Sequence, residues 1–251
     1  MLLGRFRGTL LRIAWADRQS EFSLIGIITF VTVLAILCSL GQWQLSRADE
    51  KKAVQNRQAA VANAQPVSAP ELFSGADTDF RPARVTGVWQ EQKTFLLDNS
   101  IRGGRAGYEV LTPMAVEGGL VLVNRGWIPR GPVRAELPVI SSVEGQDEVE
   151  GYLHRPSDRT FTLKDDDYRS PSWPMIIQKI DMRGISSLFS LPLAPVVLRL
   201  APEEGSGMRR DWQIVAMGPE KHQGYALQWF GLAIAWVVIF VVANTNLRRG
   251  K

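Results

Sequence analysis

Near each end of the chain runs a stretch of about twenty residues without a charged side chain, and such lengths leave a polypeptide few places to go. Residues 22–41 read FSLIGIITFVTVLAILCSLG and residues 224–243 read GYALQWFGLAIAWVVIFVVA. At about 1.5 Å per residue a helix of that length covers the roughly 30 Å hydrocarbon core of a bilayer. The sequence therefore predicts two membrane crossings, one near each end.

Two crossings place both tails on one side and everything between them on the other. The tails carry Arg5, Arg7, Arg12 and Arg18 before the first stretch and Arg248, Arg249 and Lys251 after the second, against Asp17 and Glu21. The positive-inside rule assigns that side to the cytoplasm. Arg47, Lys51, Lys52 and Arg57 lie just beyond the first stretch and argue the other way, but long loops translocate largely regardless of their charge. Removing the tail charges from the totals of 29 cations and 25 anions leaves 22 against 23. The basic isoelectric point is thus a topology signal, and it gives no reason to expect nucleic acid as a partner.

A cleaved signal peptide would have a shorter apolar region and a small-residue cleavage site, so residues 22–41 read as an uncleaved anchor. Leu37 before Cys38 matches a lipoprotein site poorly, and Cys38 is expected to be a buried helix residue. As the chain's one cysteine it allows neither an intramolecular disulfide nor a two-cysteine copper site.

From residue 41 to about 64 the chain is rich in helix formers, so the first helix is expected to continue into water and to end near Gln65-Pro66. Short apolar and β-branched runs then recur at 84–89, 94–98, 108–113, 120–128, 149–153, 175–180 and 196–200. Turn signals such as Ile101-Arg-Gly-Gly-Arg105 and Val116-Glu-Gly-Gly119 separate them. Leu120-Val-Leu-Val-Asn124 is too apolar to face water on both sides. The expectation is an antiparallel sheet or small barrel, with a short helix over 181–189 and a polar surface loop over 155–171. The fold class is α+β: two transmembrane helices flanking an extracytoplasmic, mainly antiparallel β domain. The boundaries are a cytoplasmic tail 1–21, a transmembrane helix 22–41, a helical extension 42–65, the β-rich domain 66–221, a second transmembrane helix 222–243 and a cytoplasmic tail 244–251.

Catalytic equipment is sparse. The sequence has no glycine-rich phosphate loop, no nucleophile motif and no histidine pair spaced for zinc. The run Asp165-Asp-Asp167 lacks the glycine and terminal glutamate of a calcium loop and reads as a solvated acidic turn. His154, at a strand end beside a loop, reads as a surface histidine. An enzyme is not expected.

His222 stands where the aqueous segment meets the second apolar stretch. At 100° per residue His222, Tyr225, Ala226, Trp229, Ala233 and Trp236 fall within about 100° of one another. Such a face suits a flat apolar macrocycle: an imidazole to coordinate iron, rings to stack, alanines to make room. It equally suits an interfacial aromatic belt with small residues that pack on the first helix. Spacing alone leaves both open.

The block His222-Gln-Gly-Tyr-Ala-Leu-Gln-Trp-Phe-Gly-Leu-Ala233 resembles the signature of the surfeit locus protein 1 family, whose members help assemble cytochrome c oxidase. Gly41-Gln-Trp-Gln-Leu-Ser-Arg47, with Lys51 and Lys52 after it, resembles that family's block beyond the first helix. Asn124-Arg-Gly-Trp-Ile-Pro129 resembles its central segment. The resemblance implies a membrane-anchored assembly factor that holds haem a and hands it to the oxidase catalytic subunit, cytochrome c oxidase subunit I. The haem a synthesis machinery would be a further partner.

The family's axial-ligand histidine falls on His222, so the resemblance makes His222 the metal ligand, with Tyr225 and Trp229 as cofactor-binding aromatics. Glu220-Lys221 and Gln228 depart from the family pattern of two asparagines and a threonine; Lys221 beside the site suits anionic propionates. A bacterial plasma membrane is expected over a mitochondrial inner membrane, because the tail before the first crossing leaves little room for a transit peptide. The alternative is a cofactor-free membrane scaffold that stabilises a half-assembled oxidase subunit.

Overall fold

The computed structural model describes residues 11–15, 18–22, 24–131, 136–143, 145–157, 162, 166–203, 207–212 and 217–247. Arg5, Arg7, Asp17, Asp165, Arg248, Arg249 and Lys251, and the side chains of Arg12, Arg18 and Glu21, lie outside what is described. In chain order the first elements are β1 (Leu11–Trp15), β2 (Arg18–Phe22), α1 (Leu24–Val61), β3 (Pro82–Trp89), β4 (Phe95–Arg102) and β5 (Arg105–Val116). There follow β6 (Gly119–Pro129), β7 (Gln146–His154), β8 (Met175–Ile177), α2 (Met182–Ser186), β9 (Leu193–Leu200), α3 (Pro219–Asn244) and β10 (Thr245–Leu247). The chain divides into two compact units, Met1–Gln55 with Ile214–Lys251, and Asn56–Gln213.

The first unit rests on α1 and α3, of 38 and 26 residues, both long and apolar enough to cross a bilayer. Much of their apolar surface is left uncovered; Ile25 is 78% exposed and Leu227 75%. Past its apolar part α1 continues through alanine, glutamine, lysine and arginine, all tolerant of helix, and stops at Val61, five residues before Pro66. The tails fold as well. β1 and β2 form an antiparallel hairpin, and β10, directly after α3, pairs with β2. The start of α1 and the end of α3 therefore share one end of the unit. Cys38, expected to be buried, is exposed, because the covered face of α1 runs through Leu37 and Gly41 and leaves position 38 on its flank.

Each of the seven apolar runs in the second unit becomes a strand, in the order β3-β7-β9-β6-β5-β4-β8 with β3 also pairing β5. That last pairing closes a ring of five strands, β3-β7-β9-β6-β5. One edge of β5 serves both β4 and the end of β3, since the chain bends between those two through a 3-10 turn at Glu91–Lys93. The sheet is mixed where an antiparallel one was expected. β6 with β9 and β4 with β8 run parallel. Long connections that include α2 and the 155–174 segment supply the crossovers that parallel neighbours need.

Alternation along β6 explains its unbroken apolar run. Val121 and Val123 belong to one core cluster with Val85, Met114, Val196 and Leu198, whereas Leu122 joins Phe95, Leu111, Ile177, Ile185 and Val197 in a second. Both faces of the strand are therefore buried. α2 covers the second cluster through Ile185. The helix starts where expected because the Asp181 carboxylate accepts the backbone N–H groups of Arg183 and Gly184, a cap worth about 1 kcal/mol. The described part of the 166–167 turn behaves as a solvated cap: Asp166 accepts from the backbone of Gln178 and Asp167 from that of Arg169.

The central Asn124-Arg-Gly-Trp127 block is structural. A bulge shifts the β5–β6 register between Val110 and Leu111, opposite Arg125. Asn124 donates to Glu109 at 2.7 Å and accepts from the Gly126 backbone at 3.2 Å. The Trp127 indole donates to the Ser100 carbonyl at 3.0 Å, and the Trp127 backbone pairs with Arg209 in both directions. Arg125 donates to the Ser141 carbonyl, and Arg210 donates to the Arg125 carbonyl at 2.9 Å. The block thus straps residues 208–210 and the 141 loop onto the sheet.

His154, expected at the surface, closes β7 with a side chain only 28% exposed. Desolvation by burial lowers its pKa to about 4, with Arg199 adding repulsion and Glu109 acting weakly in the opposite sense. Asp79 stands 3.9 Å away, its Oδ1 engaged by the Arg155 backbone N–H.

Two outcomes follow from this packing. Gly126 has φ +134°, and a Cβ there would lie 2.7 Å from the Met208 Cβ and 3.1 Å from the Arg209 carbonyl. Gly126→Val is expected to cost on the order of 2–3 kcal/mol, read as a lower Tm and folded yield of the full chain in detergent; an unchanged melting curve refutes it. His154 is neutral when folded, while the unfolded chain protonates near pH 6.5. Its stabilisation is therefore present above that pH and is lost as pH falls from about 6.5 to about 4, by about 3 kcal/mol at most. Replacing His154 with Gln should flatten the stability profile in that window, as measured by thermal unfolding at pH 7 and pH 4.5.

Candidate functional site

Pro219 opens α3, a position where its missing N–H costs nothing. His222 follows within the first turn. The covered positions of α3 include His222, Ala226, Trp229, Ala233, Trp236 and Phe240, spaced four and three residues apart, with Phe230 beside them. On α1 the same spacing links Phe30, Leu34, Leu37, Gly41, Gln44 and Ala48. These are the seams of two helices packed with heptad geometry.

Contacts at three heights show the seams meeting in antiparallel register. At one end Phe30 stacks on Phe240, with ring centroids 4.1 Å apart, and on Trp236 at 6.4 Å, while the Trp236 indole donates to the Phe30 carbonyl at 3.2 Å. In the middle a Cβ on Gly41 would lie 2.7 Å from the Phe230 ring, so the absence of a side chain is what admits that ring. At the other end His222 Nδ1 and Gln44 Oε1 are 2.8 Å apart. Two motif blocks distant in sequence, Gly41-Gln-Trp-Gln44 and the one opening at His222, are thereby joined.

The structure sorts the expected site residues. His222 is half-buried on the seam, with Trp229 about two turns further along it. Tyr225 is 46% exposed and lies off the seam. Ala226 and Ala233 are buried, so these alanines serve close packing and leave no open face for a macrocycle on the seam itself. Lys221 is exposed; Trp43 is 50% exposed, with the Arg47 guanidinium 5.7 Å from its ring centre. Gln44 was not singled out as a site residue. A heptad reading of α1 would have found it, as a polar side chain set between Gly41 and Ala48 on an otherwise small or apolar stripe.

Donor chemistry decides what could be held here. Among the described residues no three histidine, cysteine, aspartate or glutamate side chains converge on a metal position. A closed multi-ligand cage is thus not built from them, and a group that brings most of its own ligands fits better. A porphyrin iron asks the protein for one axial nitrogen. His222 meets that requirement: one ring nitrogen is anchored by Gln44, and no described residue bonds the other.

The SURF1 family model matches residues 31–234, more than three quarters of the chain. A SURF1-like protein of Rickettsia felis is 28% identical over 244 residues, covering 90% of this chain and 97% of its own length. An uncharacterized SURF1-like protein of Mycobacterium bovis is 25% identical over 95% of this chain and 89% of its own length. Surfeit locus protein 1 of Takifugu rubripes is 26% identical over 53% of this chain and 63% of its own length. A match that runs from within the first apolar helix to within the second, through every strand of the closed ring, leaves no doubt of kinship: the chain belongs to the SURF1 family, whose members are known as cytochrome oxidase assembly factors.

Proposed function

We propose that the chain crosses a bacterial plasma membrane twice, with both tails in the cytoplasm and the β domain outside it. There it serves cytochrome c oxidase assembly by holding haem a in transit to the oxidase catalytic subunit, subunit I. Lengths support the crossings: even the 26 residues of α3 extend about 39 Å, beyond the roughly 30 Å of hydrocarbon. Thr29 and Asn244 return their polar groups to carbonyls four residues back in their own helices, as a medium without water requires. The strand pairing of β10 with β2 supports tails on one side.

The observation that carries the haem reading is His222 itself, half-buried in the first turn of α3, with one ring nitrogen anchored and the other without a described partner. When bound, haem would supply an iron able to take a protein nitrogen as ligand. The chain's own residues do the rest. His222 would offer a ring nitrogen to the iron, the exposed ring of Tyr225 an apolar face one turn along, Trp229 an indole about two turns along the seam, and the Lys221 ammonium would meet anionic propionates. One imidazole held by one hydrogen bond suits loading and release. Purified from cells that make haem a, the chain is expected to carry the pigment and His222→Ala to fall to background. Equal absorption from both proteins removes His222 from the mechanism.

One observation favours a second reading, a scaffold without cofactor: α1 already fills the face that Ala226 and Ala233 line. On that reading the chain copurifies with oxidase subunits from a strain unable to make haem a, whereas a carrier of haem loses them there.

A further inference from the structure

Building on the haem reading of His222, we propose that Gln44 is a positioning residue: its side-chain carbonyl, presented from α1, fixes the His222 ring in the Nδ1–H tautomer and so makes Nε2 the coordinating atom.

An amide oxygen only accepts, so the 2.8 Å contact with Gln44 Oε1 requires the proton on Nδ1. A neutral imidazole carries one ring proton. Nε2 is then left with its lone pair, the state a metal needs. A histidine alone in the first turn of a helix would exchange tautomers and turn about its outer torsion; a partner on a second helix stops both. Gln44 is itself held in place. It sits half-buried between Gly41 and Ala48, both buried, on the seam where Phe230 presses into the space above Gly41. The residue that lets the helices approach and the residue that orients the ligand are thus three positions apart on one face.

A metal-bound histidine commonly has its second nitrogen engaged by a carboxylate, a backbone carbonyl or water. Here a neutral side-chain amide takes that place. It orients the ring without bringing a charge to the edge of an apolar helix, where an unpaired carboxylate would be costly.

The full chain in detergent, with 15N-labelled histidine and His154→Gln to assign the signals, gives the tautomer directly at pH 9 without haem. The wild type and Gln44→Glu, whose ionised carboxylate can only accept, are expected to carry the proton on Nδ1, and Gln44→Leu to lose that preference. Ferric haem a titrated into the same three proteins is expected to bind Gln44→Leu 10–100-fold more weakly than the wild type, and Gln44→Glu within a few-fold of it. A wild-type proton on Nε2, an unaltered tautomer in Gln44→Leu, or equal haem affinity in all three overturns the role. Should Gln44→Leu fail to fold, by helical signal or Tm, the wild-type and Gln44→Glu spectra still decide. Haem retained by His222→Ala refutes the axial-ligand reading separately, since the tautomer measurement needs no haem.

Discussion

The Phe230 ring seated against Gly41 is the contact between α1 and α3 on which the site depends. Two helices this apolar gain nothing in lipid from hiding apolar surface, since lipid tails are as apolar as they are. In the bilayer proposed for them, their association would have to come from packing and from hydrogen bonds between helices. Gly41 supplies the packing by admitting the Phe230 ring, and the Trp236 and His222 bonds supply the polar links on either side of it. A side chain at position 41 would push the seam apart where Gln44 has to reach. Removing the glycine and removing the amide would therefore converge on the same defect, an imidazole without its partner.

The β domain solves a different problem. With β3 pairing both β7 and β5 the five-stranded ring has no free edge, and β4 and β8 extend it on one side only. Its central motif keeps that ring joined to the 208–210 segment: the bulge at Arg125 turns the backbone so that the Trp127 N–H and carbonyl meet Arg209. The buried carboxylate of Glu109 gathers Ser100, Arg102 and Asn124 around it, so the Asn124 amide is satisfied at both ends. The block reads as architecture, in contrast to the two blocks on the helices.

Much of this was legible in the residues. The strands could be placed because their apolar runs are short and separated by turn signals such as Gly103-Gly104 and Gly118-Gly119. The direction of β8 and β9 was not legible, since a local run gives no sign of whether its neighbour arrives by a hairpin or after a long connection. His154 differs from expectation for a similar reason: Arg199, Glu109 and Asp79, all distant in sequence, come near it only in the fold. On the helices the face of α3 was read nearly as it is found, apart from Tyr225. The face of α1 was passed over because its seam changes at Gly41 from large apolar residues to small and polar ones, and a search for apolar periodicity stops there.

The strength of the His222 anchor bears on whether a haem would stay or move on. Engaging Nδ1 makes the imidazole a better donor at Nε2, and a carboxylate does so more strongly than an amide because it bears a full charge. A protein that keeps its haem gains from the stronger push and from a second axial ligand. A protein that passes it on gains from fixed direction with modest basicity, since the acceptor subunit has only to offer a more basic or better enclosed pair of ligands to win the exchange. On the proposed haem reading, a neutral Gln44 in place of a carboxylate would suit release better than retention.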